Sequence, residues 1–379
     1  MEKTKIILIT HADMDTSAGN ITLLMRRAEA LYDMYGYYTQ FLIYHGIADH
    51  GNKDVFEKYY EIRYIRNKKD LYTQIIKEIP KCIILYGHKI EMLTYGIHRV
   101  LKQNKIKCDV LLDVQACVEE KLEYAPNFKR KLMYPAYYMA FRLAISNVDG
   151  AFVVSEELKE NCERKLLLKR KLKYYKVRCG ITRVLNLEEV EINREKMRKD
   201  YSINNKDVVF VYSGYRMAWQ KIDEIIKDFQ KYDKMIDNSY FMFFCNTDEA
   251  FEQQLDRAFP RKNYFVGLLK KDEYEKTLCG CDVGYILRDY KETNKVAFPN
   301  KFSDYLSAGL LIGMNKALPE PMRVLRDNKI PYLDTDNLIE ENVQIVEQYL
   351  KHRGAYLRLV LSACEKELLY SSQIKKTKI

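Results

Sequence analysis

The sequence predicts an α/β protein made of two Rossmann-like domains. Short apolar runs, too short for buried helices, alternate with longer segments whose apolar residues recur at helical spacing. This alternation fades near the middle of the chain and restarts with the run VVFVYS. A chain of 379 residues is also long for one hydrophobic core. The two series therefore favour two domains, each with a parallel sheet.

The first series begins with KIILIT, a β-branched run typical of a strand that is buried on both faces. The polar segment HADMDTSAGN follows and ends at Gly19 and Asn20, before a helical pattern begins. Pro80 closes the next helical pattern, and Ser155 is a plausible cap for another. We predict strands at residues 5–10, 40–44, 60–64, 82–86, 108–112, 149–155 and 174–178, and helices at 21–34, 71–79, 90–101 and 128–145.

Polar residues follow three of these strands directly. His11 follows the first strand, His88 follows CIILYG, and Asp113 follows CDVLL. Ligands of parallel α/β sheets bind beyond the carboxyl ends of the strands, so these residues are expected at a functional edge. The full G-x-G-x-x-G pattern is absent, which counts against a dinucleotide-dependent dehydrogenase.

The second series follows residues 182–192, which show no clear period, and we place the domain boundary there. The predicted domains are residues 1–181 and 182–352, and residues 353–379 are expected to cross back toward the first domain. We predict strands at 208–213, 241–244, 264–266, 283–287 and 310–312, and helices at 221–229, 249–258, 272–279, 342–350 and 356–369, with one more helix after Pro299.

The helix after Pro299 is the most informative element. It follows a charged segment, residues 288–294, which we predict as loop, and Gly309 ends it. Free N–H groups and the positive end of the helix dipole make such an N-terminus a site for an anion. Asn294 and Lys301 lie at this end, and Asp304 lies one turn further along the helix.

The composition limits the kinds of protein that this chain can be. Hydrophobic residues make up 47% and charged residues 31%, and no apolar run is long enough to span a membrane. The nine cysteines are scattered and form no Cys-x-x-Cys pair. We therefore expect a cytoplasmic protein with no disulfide framework, no metal and no cofactor.

The formal net charge is +10, and one stretch concentrates it. From Lys159 to Arg178 there are nine basic and two acidic residues, a net charge of +7. Such a stretch can hold nucleic acid, anionic lipid or a phosphorylated substrate, or it can be a solvated helix face. The aromatic and basic segment 128–145 also has two interpretations, a helix that lies at a membrane interface or a helix packed in the protein interior. Because no motif of an RNA or DNA reader accompanies the charge, we expect an anionic membrane surface and no nucleic acid.

The segment from Val283 to Met314 resembles the donor-binding segment of nucleotide-sugar glycosyltransferases of the two-domain GT-B type, family four in particular. The resemblance lies in a Pro-x-Lys pattern, an acidic residue before Tyr-Leu, then a small residue and glycine: Pro299, Lys301, Asp304, Tyr305, Leu306, Ala308 and Gly309. Many family members carry two glutamates separated by seven residues. Here Asp304 stands at the second position and Val296 at the first.

The resemblance implies a GT-B fold whose two Rossmann-like domains face each other across a cleft. It assigns the loop from Gly214 to Lys221 to the donor diphosphate, with Arg216 and Lys221 as the cations. Gly267 and Leu268 match the loop whose backbone reads the base. The donor-binding residues implied by the resemblance, or facing the same edge, are Gly19, Gly214, Lys221, Gly267, Leu268, Arg288, Asn294, Lys301 and Asp304.

The acceptor side carries a second resemblance, in the segment LLDVQACVEE. Several polysaccharide glycosyltransferases have Asp-x-His-Gly and a glutamate pair there. This chain keeps Asp113, Glu119 and Glu120 but has Gln115 and Ala116 where those enzymes have His and Gly. Asp113 is a candidate for orienting or deprotonating an acceptor hydroxyl, and His11 and His88 are expected beside it. The two glutamates equally suit the acidic first turn of a helix.

Together the residues and the resemblance predict a metal-independent glycosyltransferase of cell-surface polysaccharide synthesis, and the resemblance implies that it retains the anomeric configuration. Its donor would be a nucleotide diphosphate-sugar and its acceptor a glycan or a lipid-linked sugar. Asp113, Lys301 and Arg216 are the expected catalytic residues. The alternative is a GT-B protein that binds a nucleotide or a glycan without turnover.

Overall fold

The computed structural model describes residues 5–11, 19–44, 55–124, 127–167 and 171–377. The chain divides into two compact units. Unit 1 comprises Met1–Thr182 together with Tyr370–Ile379, and unit 2 comprises Arg183–Leu369. In the described part of the chain, no helix is both long enough and apolar enough to cross a membrane.

Unit 1 is built on a sheet of eight strands within its described residues, in the order β3-β4-β2-β1-β5-β6-β7-β8. The pairs are parallel except β3 with β4. The elements in chain order are β1 Lys5–Thr10, α1 Gly19–Tyr35, β2 Tyr38–Tyr44, β3 Val55–Phe56, β4 Tyr60–Ile65, α2 Lys68–Glu78, β5 Cys82–Tyr86, α3 His88–Glu91, α4 Thr94–Gln103, β6 Asp109–Val114, α5 Glu120–Glu123, α6 Phe128–Leu132, α7 Tyr134–Ile145, β7 Gly150–Val153, α8 Glu156–Glu163 and β8 Lys173–Lys176.

Unit 2 is built on a parallel sheet of six strands, in the order β11-β10-β9-β12-β13-β14. Its elements in chain order are α9 Leu187–Asp200, β9 Val208–Ser213, a 3₁₀ turn Ala218–Gln220, α10 Ile222–Met235, β10 Ser239–Phe244, α11 Glu249–Ala258, β11 Tyr264–Val266, α12 Lys271–Leu278, β12 Val283–Ile286, α13 Glu292–Lys295, α14 Asn300–Ser307, β13 Leu311–Met314, α15 Pro319–Asp327, β14 Leu333–Asp334, α16 Ile339–Lys351, α17 Arg353–Ala363 and a π turn Cys364–Leu368.

The chain ends in α18, Tyr370–Thr377, which belongs to unit 1. The side chain of Gln373 accepts a hydrogen bond from the backbone N–H of Arg178 at 2.8 Å, and the N–H of Tyr370 donates to Ile181 at 2.9 Å. Ile374 is buried. The segment 353–379, predicted to cross back as a whole, is therefore divided, because residues 353–369 stay with unit 2.

The strand order locates one switch point in each sheet, where successive crossovers change direction. In unit 1 the switch lies between β1 and β5, and in unit 2 it lies between β9 and β12. Adjacent loops diverge at a switch point and leave a crevice beyond the carboxyl ends of the two strands. His11 and Gly87 follow the first pair, and Gly214 and Leu287 follow the second.

Three predicted elements differ from the structure. The predicted helix 128–145 is broken at Met133 into α6 and α7, because Pro135, in the first turn of α7, lacks the N–H that a continuous helix needs. The predicted helix 90–101 is likewise two helices, α3 and α4. The predicted loop 288–294 contains the start of α13.

One long helix was not predicted. α9 begins in the region that shows no clear apolar period. The side chain of Asn186 accepts a hydrogen bond from the backbone of Glu189, and the side chain of Glu189 accepts one from the backbone of Asn186. This capping box fixes the helix start, and the sequence pattern Asn-x-x-Glu was available as its signal.

Candidate functional site

Lys301, in the first turn of α14, is the central residue of the site in unit 2. Its side chain is only 9% exposed. The ammonium group donates a hydrogen bond to Oε1 of Gln220 at 2.8 Å and lies 4.5 Å from the centre of the Tyr212 ring. Burial, together with the positive field of Arg288, holds the pKa of Lys301 well below its usual range.

Two arginines act on the same surroundings as Lys301. Arg288 follows β12, is buried and lowers the pKa of Lys301 through its charge. Burial raises the pKa of Tyr212, and the charges of Arg288 and Arg216 oppose that rise. Burial also raises the pKa of Cys245 to about 11, against the charges of Arg216 and Lys301. The three cations therefore surround the ends of β9, β10 and β12; we call Arg216, Arg288 and Lys301 the cation cluster.

Arg216 is held from two sides. Its guanidinium pairs with the carboxylate of Asp248, the N-cap residue of α11, and lies 4.5 Å from the centre of the Phe251 ring. The pKa of Asp248 is lowered by this hydrogen bond. The Nε atom of Arg216 is buried and makes no hydrogen bond within the described structure. Arg216 thus keeps a fixed direction and a donor available for a further acceptor.

Hydroxyl groups fix α14 to the end of β9. The Tyr305 hydroxyl accepts a hydrogen bond from the backbone N–H of Ser213 at 2.9 Å and lies 2.9 Å from the Ser213 hydroxyl. The Ser213 hydroxyl in turn lies 2.7 Å from the Tyr274 hydroxyl. The Tyr305 ring packs against Gly284 of β12, where a Cβ atom would overlap it. These contacts set the position of Lys301, one turn before Tyr305.

Gly214 allows the loop after β9 to pass close to Lys301. Its φ angle is +115°, which non-glycine residues rarely adopt, and a Cβ atom there would lie 3.4 Å from the Lys301 Nζ. The loop continues through Arg216 and Gln220. Its backbone therefore lies beside the ammonium group at Gly214, and the diphosphate-binding role of this loop stays a prediction.

The other donor-side residues are distributed along the same edge of the sheet. Lys221 pairs with Glu224 at 3.1 Å and Asp289 at 3.3 Å. Asn294 is buried and donates to the Asp289 carbonyl at 2.9 Å. Asp304 is half-buried near Lys301. Its negative charge opposes the lowering of the pKa of Lys301 without cancelling it. Gly267 and the exposed Leu268 follow β11, which is separated from β12 by β10 and β9.

Sequence reasoning missed several residues that complete this site. Ser213 and Tyr274 were not predicted to position Tyr305, and Asp248 was not predicted to hold Arg216. Nothing in the local sequence pairs residues that are 61 or 32 positions apart, so only the fold reveals these contacts.

Asp113, the predicted catalytic residue of unit 1, lies in a buried ion pair. Its Oδ2 atom accepts a hydrogen bond from Nη1 of Arg27, in α1, at 2.6 Å. Arg27 also donates to the carbonyl of Val177 at 2.9 Å. The Oδ1 atom of Asp113 is buried without a hydrogen bond in the described structure. This geometry suits a group that fixes α1 to the sheet, and a catalytic role for Asp113 stays a prediction.

The two glutamates have separate environments. Glu119 pairs with the buried Lys165 at 2.7 Å. Burial alone would raise the pKa of Glu119, but the hydrogen bond and charge of Lys165, together with hydrogen bonds from the Glu119 backbone and Cys117, lower it overall. Glu120 begins α5, as expected for an acidic first turn. Glu91, which was not predicted, lies in α3, and burial raises its pKa to about 7.

The remaining predicted residues of unit 1 lie at its switch point. The His11 ring occupies the space next to Gly87, where a Cβ atom would overlap it. His88 begins α3, but its side chain lies outside the described residues. Gly19 begins α1, whereas the preceding residues 12–18 lie outside the described part. Across the described ranges, no group of three or more His, Cys, Asp or Glu side chains is placed to hold a metal ion.

Several solved structures are similar to this chain over almost its whole length. Sucrose-phosphate synthase from Thermosynechococcus elongatus matches with a TM-score of 0.72 and 10% identity, covering 99% of this chain and 97% of that chain. An α,α-trehalose-phosphate synthase (UDP-forming) from Burkholderia xenovorans matches with a TM-score of 0.66 and 10% identity, covering 98% and 99%. WaaG, a glycosyltransferase involved in lipopolysaccharide biosynthesis, matches with a TM-score of 0.62 and 10% identity, covering 99% and 98%.

These structures are glycosyltransferases of the GT-B type, and the chain shares their fold of two Rossmann-like units. The predicted fold class is thereby confirmed. No protein-family model matches the sequence, and no curated protein matches it. At 10% identity the likeness establishes the fold alone.

Proposed function

We propose that this chain is a glycosyltransferase that moves a sugar from a nucleotide diphosphate-sugar to a hydroxyl group. The observation that supports it is the cation cluster at the switch point of unit 2. Arg216, Arg288 and Lys301 come from three separate segments, and two of them are buried. Asp248 and Asp304 offset part of the repulsion among these like charges, and an anion with several oxygens among them would offset the rest.

The cation cluster suits the chemistry of sugar transfer. When the bond between the sugar and the phosphate breaks, the sugar becomes cation-like and the diphosphate leaves with additional negative charge. Lys301 and the arginines would stabilise that charge as it develops, with the N–H groups at the start of α14. The fork of Arg216 binds phosphate oxygens in pairs, while Lys301 acts as a point charge. Asp304 would accept hydrogen bonds from the ribose hydroxyls.

The similar structures support the kinds of substrate without identifying them. The trehalose-phosphate synthase is UDP-forming and was solved with glucose-6-phosphate, so a sugar phosphate is one acceptor class to test. WaaG acts in lipopolysaccharide biosynthesis, which fits the predicted lipid-linked or glycan acceptor. Retention of configuration, independence of metal ions and a cytoplasmic location peripheral to the membrane belong to the same proposal. Product stereochemistry and turnover in the presence of a chelator test the first two.

One observation favours the alternative, a protein that binds a nucleotide-sugar without turnover. Asp113 accepts a charged hydrogen bond from Arg27 inside unit 1, and this ion pair disfavours the transfer of a proton from the acceptor hydroxyl to Asp113. The cation cluster would be equally suited to binding alone. The two functions differ in one measurable outcome, the release of nucleoside diphosphate.

The test combines a binding screen with an assay of that release. UDP-, GDP- and ADP-sugars are screened for the one that raises the melting temperature, because a ligand of the folded state stabilises it. Release of the matching diphosphate is then measured in Lys301→Ala and in Lys295→Ala, a control at an exposed lysine of the same segment. We expect a loss of about a hundredfold or more in Lys301→Ala and none in the control. Stabilisation without release supports the alternative, and unchanged release in Lys301→Ala contradicts the site.

A further inference from the structure

The helix α6 and the start of α7 form a surface that unit 1 leaves uncovered. Every residue from Asn127 to Met133 is exposed. Phe128 and Leu132 are 73% and 66% exposed, and they lie four residues apart on one face of α6. Met133, at the junction of α6 and α7, and Met139 of α7 are also exposed. A group of large exposed apolar side chains marks an interaction site.

The same surface is strongly basic. Lys129, Arg130 and Lys131 are consecutive and exposed, and none forms an ion pair in the described structure. No acidic residue occurs from Tyr124 to Val148. Beside α6 lies a cavity of about 400 Å³, lined by Lys121, Asn127, Lys129, Arg130, Met133 and Tyr137. The cavity thus offers cationic groups next to apolar ones. We call the exposed residues 127–133, together with the cavity beside them, the α6 surface.

We propose that the α6 surface docks onto an anionic phospholipid bilayer. Phe128 and Leu132 would enter the boundary between headgroups and acyl chains, as the apolar side chains of interfacial helices do. Lys129, Arg130 and Lys131 would bind lipid phosphates, one of them held in the cavity. The positive charge of these three residues favours anionic over neutral lipids, because none of the three has a carboxylate partner in the described structure. A nucleic acid would meet the cations but leave Phe128 and Leu132 in water.

This surface differs from the basic stretch that the sequence marked for a membrane. Lys165 of that stretch is buried against Glu119, and Lys159 and Lys176 lie near Glu156 at 2.5 Å and 3.9 Å. Several of its charges are therefore compensated within unit 1. The α6 surface combines uncompensated cations with exposed apolar side chains. Its membrane contact does not depend on the sugar transfer proposed above.

The proposal is tested by sedimentation of the full chain with phosphatidylcholine vesicles, with and without phosphatidylglycerol. We expect binding only to the anionic vesicles and weaker binding at high salt. Each cation contributes about a fivefold change in affinity, so the triple variant Lys129→Gln, Arg130→Gln, Lys131→Gln should bind about a hundredfold more weakly. Phe128→Ser with Leu132→Ser should also lose binding.

The matched control is Lys171→Gln with Lys173→Gln, which removes two exposed lysines from the other basic stretch. It should bind as the unchanged chain does, and all three variants should keep their melting temperature because the substituted residues are exposed. Loss of binding in the control with full binding in the α6 variants would overturn the proposal. So would equal binding to neutral vesicles, or no binding to any vesicle.

Discussion

At the scale of single residues, Lys301 is placed where an ammonium group is unfavourable without a ligand. It is buried, has Gln220 as its hydrogen-bond acceptor, and lies in the field of Arg288. The Tyr212 ring compensates only part of the desolvation. Residues held at a cost to stability are typical of functional sites, because the ligand supplies the missing interaction.

Lys301→Met should therefore stabilise the protein while removing donor binding. Methionine keeps most of the apolar stem and removes the buried charge, so we expect a gain of about 1–2 kcal/mol in the free energy of unfolding. Denaturant unfolding measures the gain, and the thermal shift with the nucleotide-sugar measures the loss. A destabilised variant would mean that Lys301 has a structural role in the ligand-free protein.

Donor binding should also take up a proton at Lys301. In the free protein burial and Arg288 lower the pKa of Lys301, and a bound diphosphate would raise it again. The protonated form binds better, so affinity should fall as the pH rises from the lowered pKa toward the pKa of the complex. Calorimetry in two buffers of different ionisation enthalpy measures the uptake.

The control for proton uptake is Lys301→Met titrated with the same ligand, which cancels any titration of the ligand itself. Equal uptake by both proteins would show that Lys301 stays charged throughout. That result would remove the proposed link between the burial of Lys301 and the binding of the donor.

At the scale of elements, the packing of α14 on β12 positions the cation cluster. Gly284 leaves room for the Tyr305 ring, whose hydroxyl holds the end of β9. Gly284→Ala should displace α14, cost about 1–3 kcal/mol of stability and weaken the donor-induced thermal shift. Gly354→Ala is the matched control, because a Cβ atom there meets nothing within 4 Å. Full donor binding in Gly284→Ala would show that α14 does not position the cluster.

Periodicity and breakers predicted most of the elements at this site. The strands β1, β5, β9 and β12 and the helix α14 follow from apolar runs, Pro299 and Gly309. The divisions between α3 and α4 and between α6 and α7 were not predicted, because apolar spacing alone continues across a break. α9 was missed since its apolar face is weak and its start depends on the capping box of Asn186.

The site could be predicted only in part, for a physical reason. Arg288 follows β12, and Lys301 lies in the first turn of α14, between β12 and β13, so their common edge is implied by topology. Contacts such as Arg27 with Asp113 depend on which helix packs over which strand, 86 residues away. Local sequence patterns do not contain that information, so the ion pair of Asp113 could not be predicted from them.

At the scale of the whole molecule, the chain builds two units with separate cores, and the last helix returns to the first. Unit 1 is therefore made from both ends of the sequence. The cation cluster lies entirely in unit 2, within Arg183–Leu369. Stability of unit 1 and ligand binding by unit 2 should accordingly respond to different substitutions.

Ile374→Ala tests this separation. Ile374 is 1% exposed in unit 1, so truncating it should cost about 2–4 kcal/mol through lost burial and a cavity. Hydrogen exchange should then show reduced protection in β5 and β6, with β9 and β12 unchanged and still protected further by the nucleotide-sugar. Lys375→Ala, at the exposed neighbouring position, is the control and should change neither unit. If β9 and β12 lost protection to the same extent as β5 and β6, the two units would unfold as one cooperative block, and α18 would stabilise the donor site as well as unit 1.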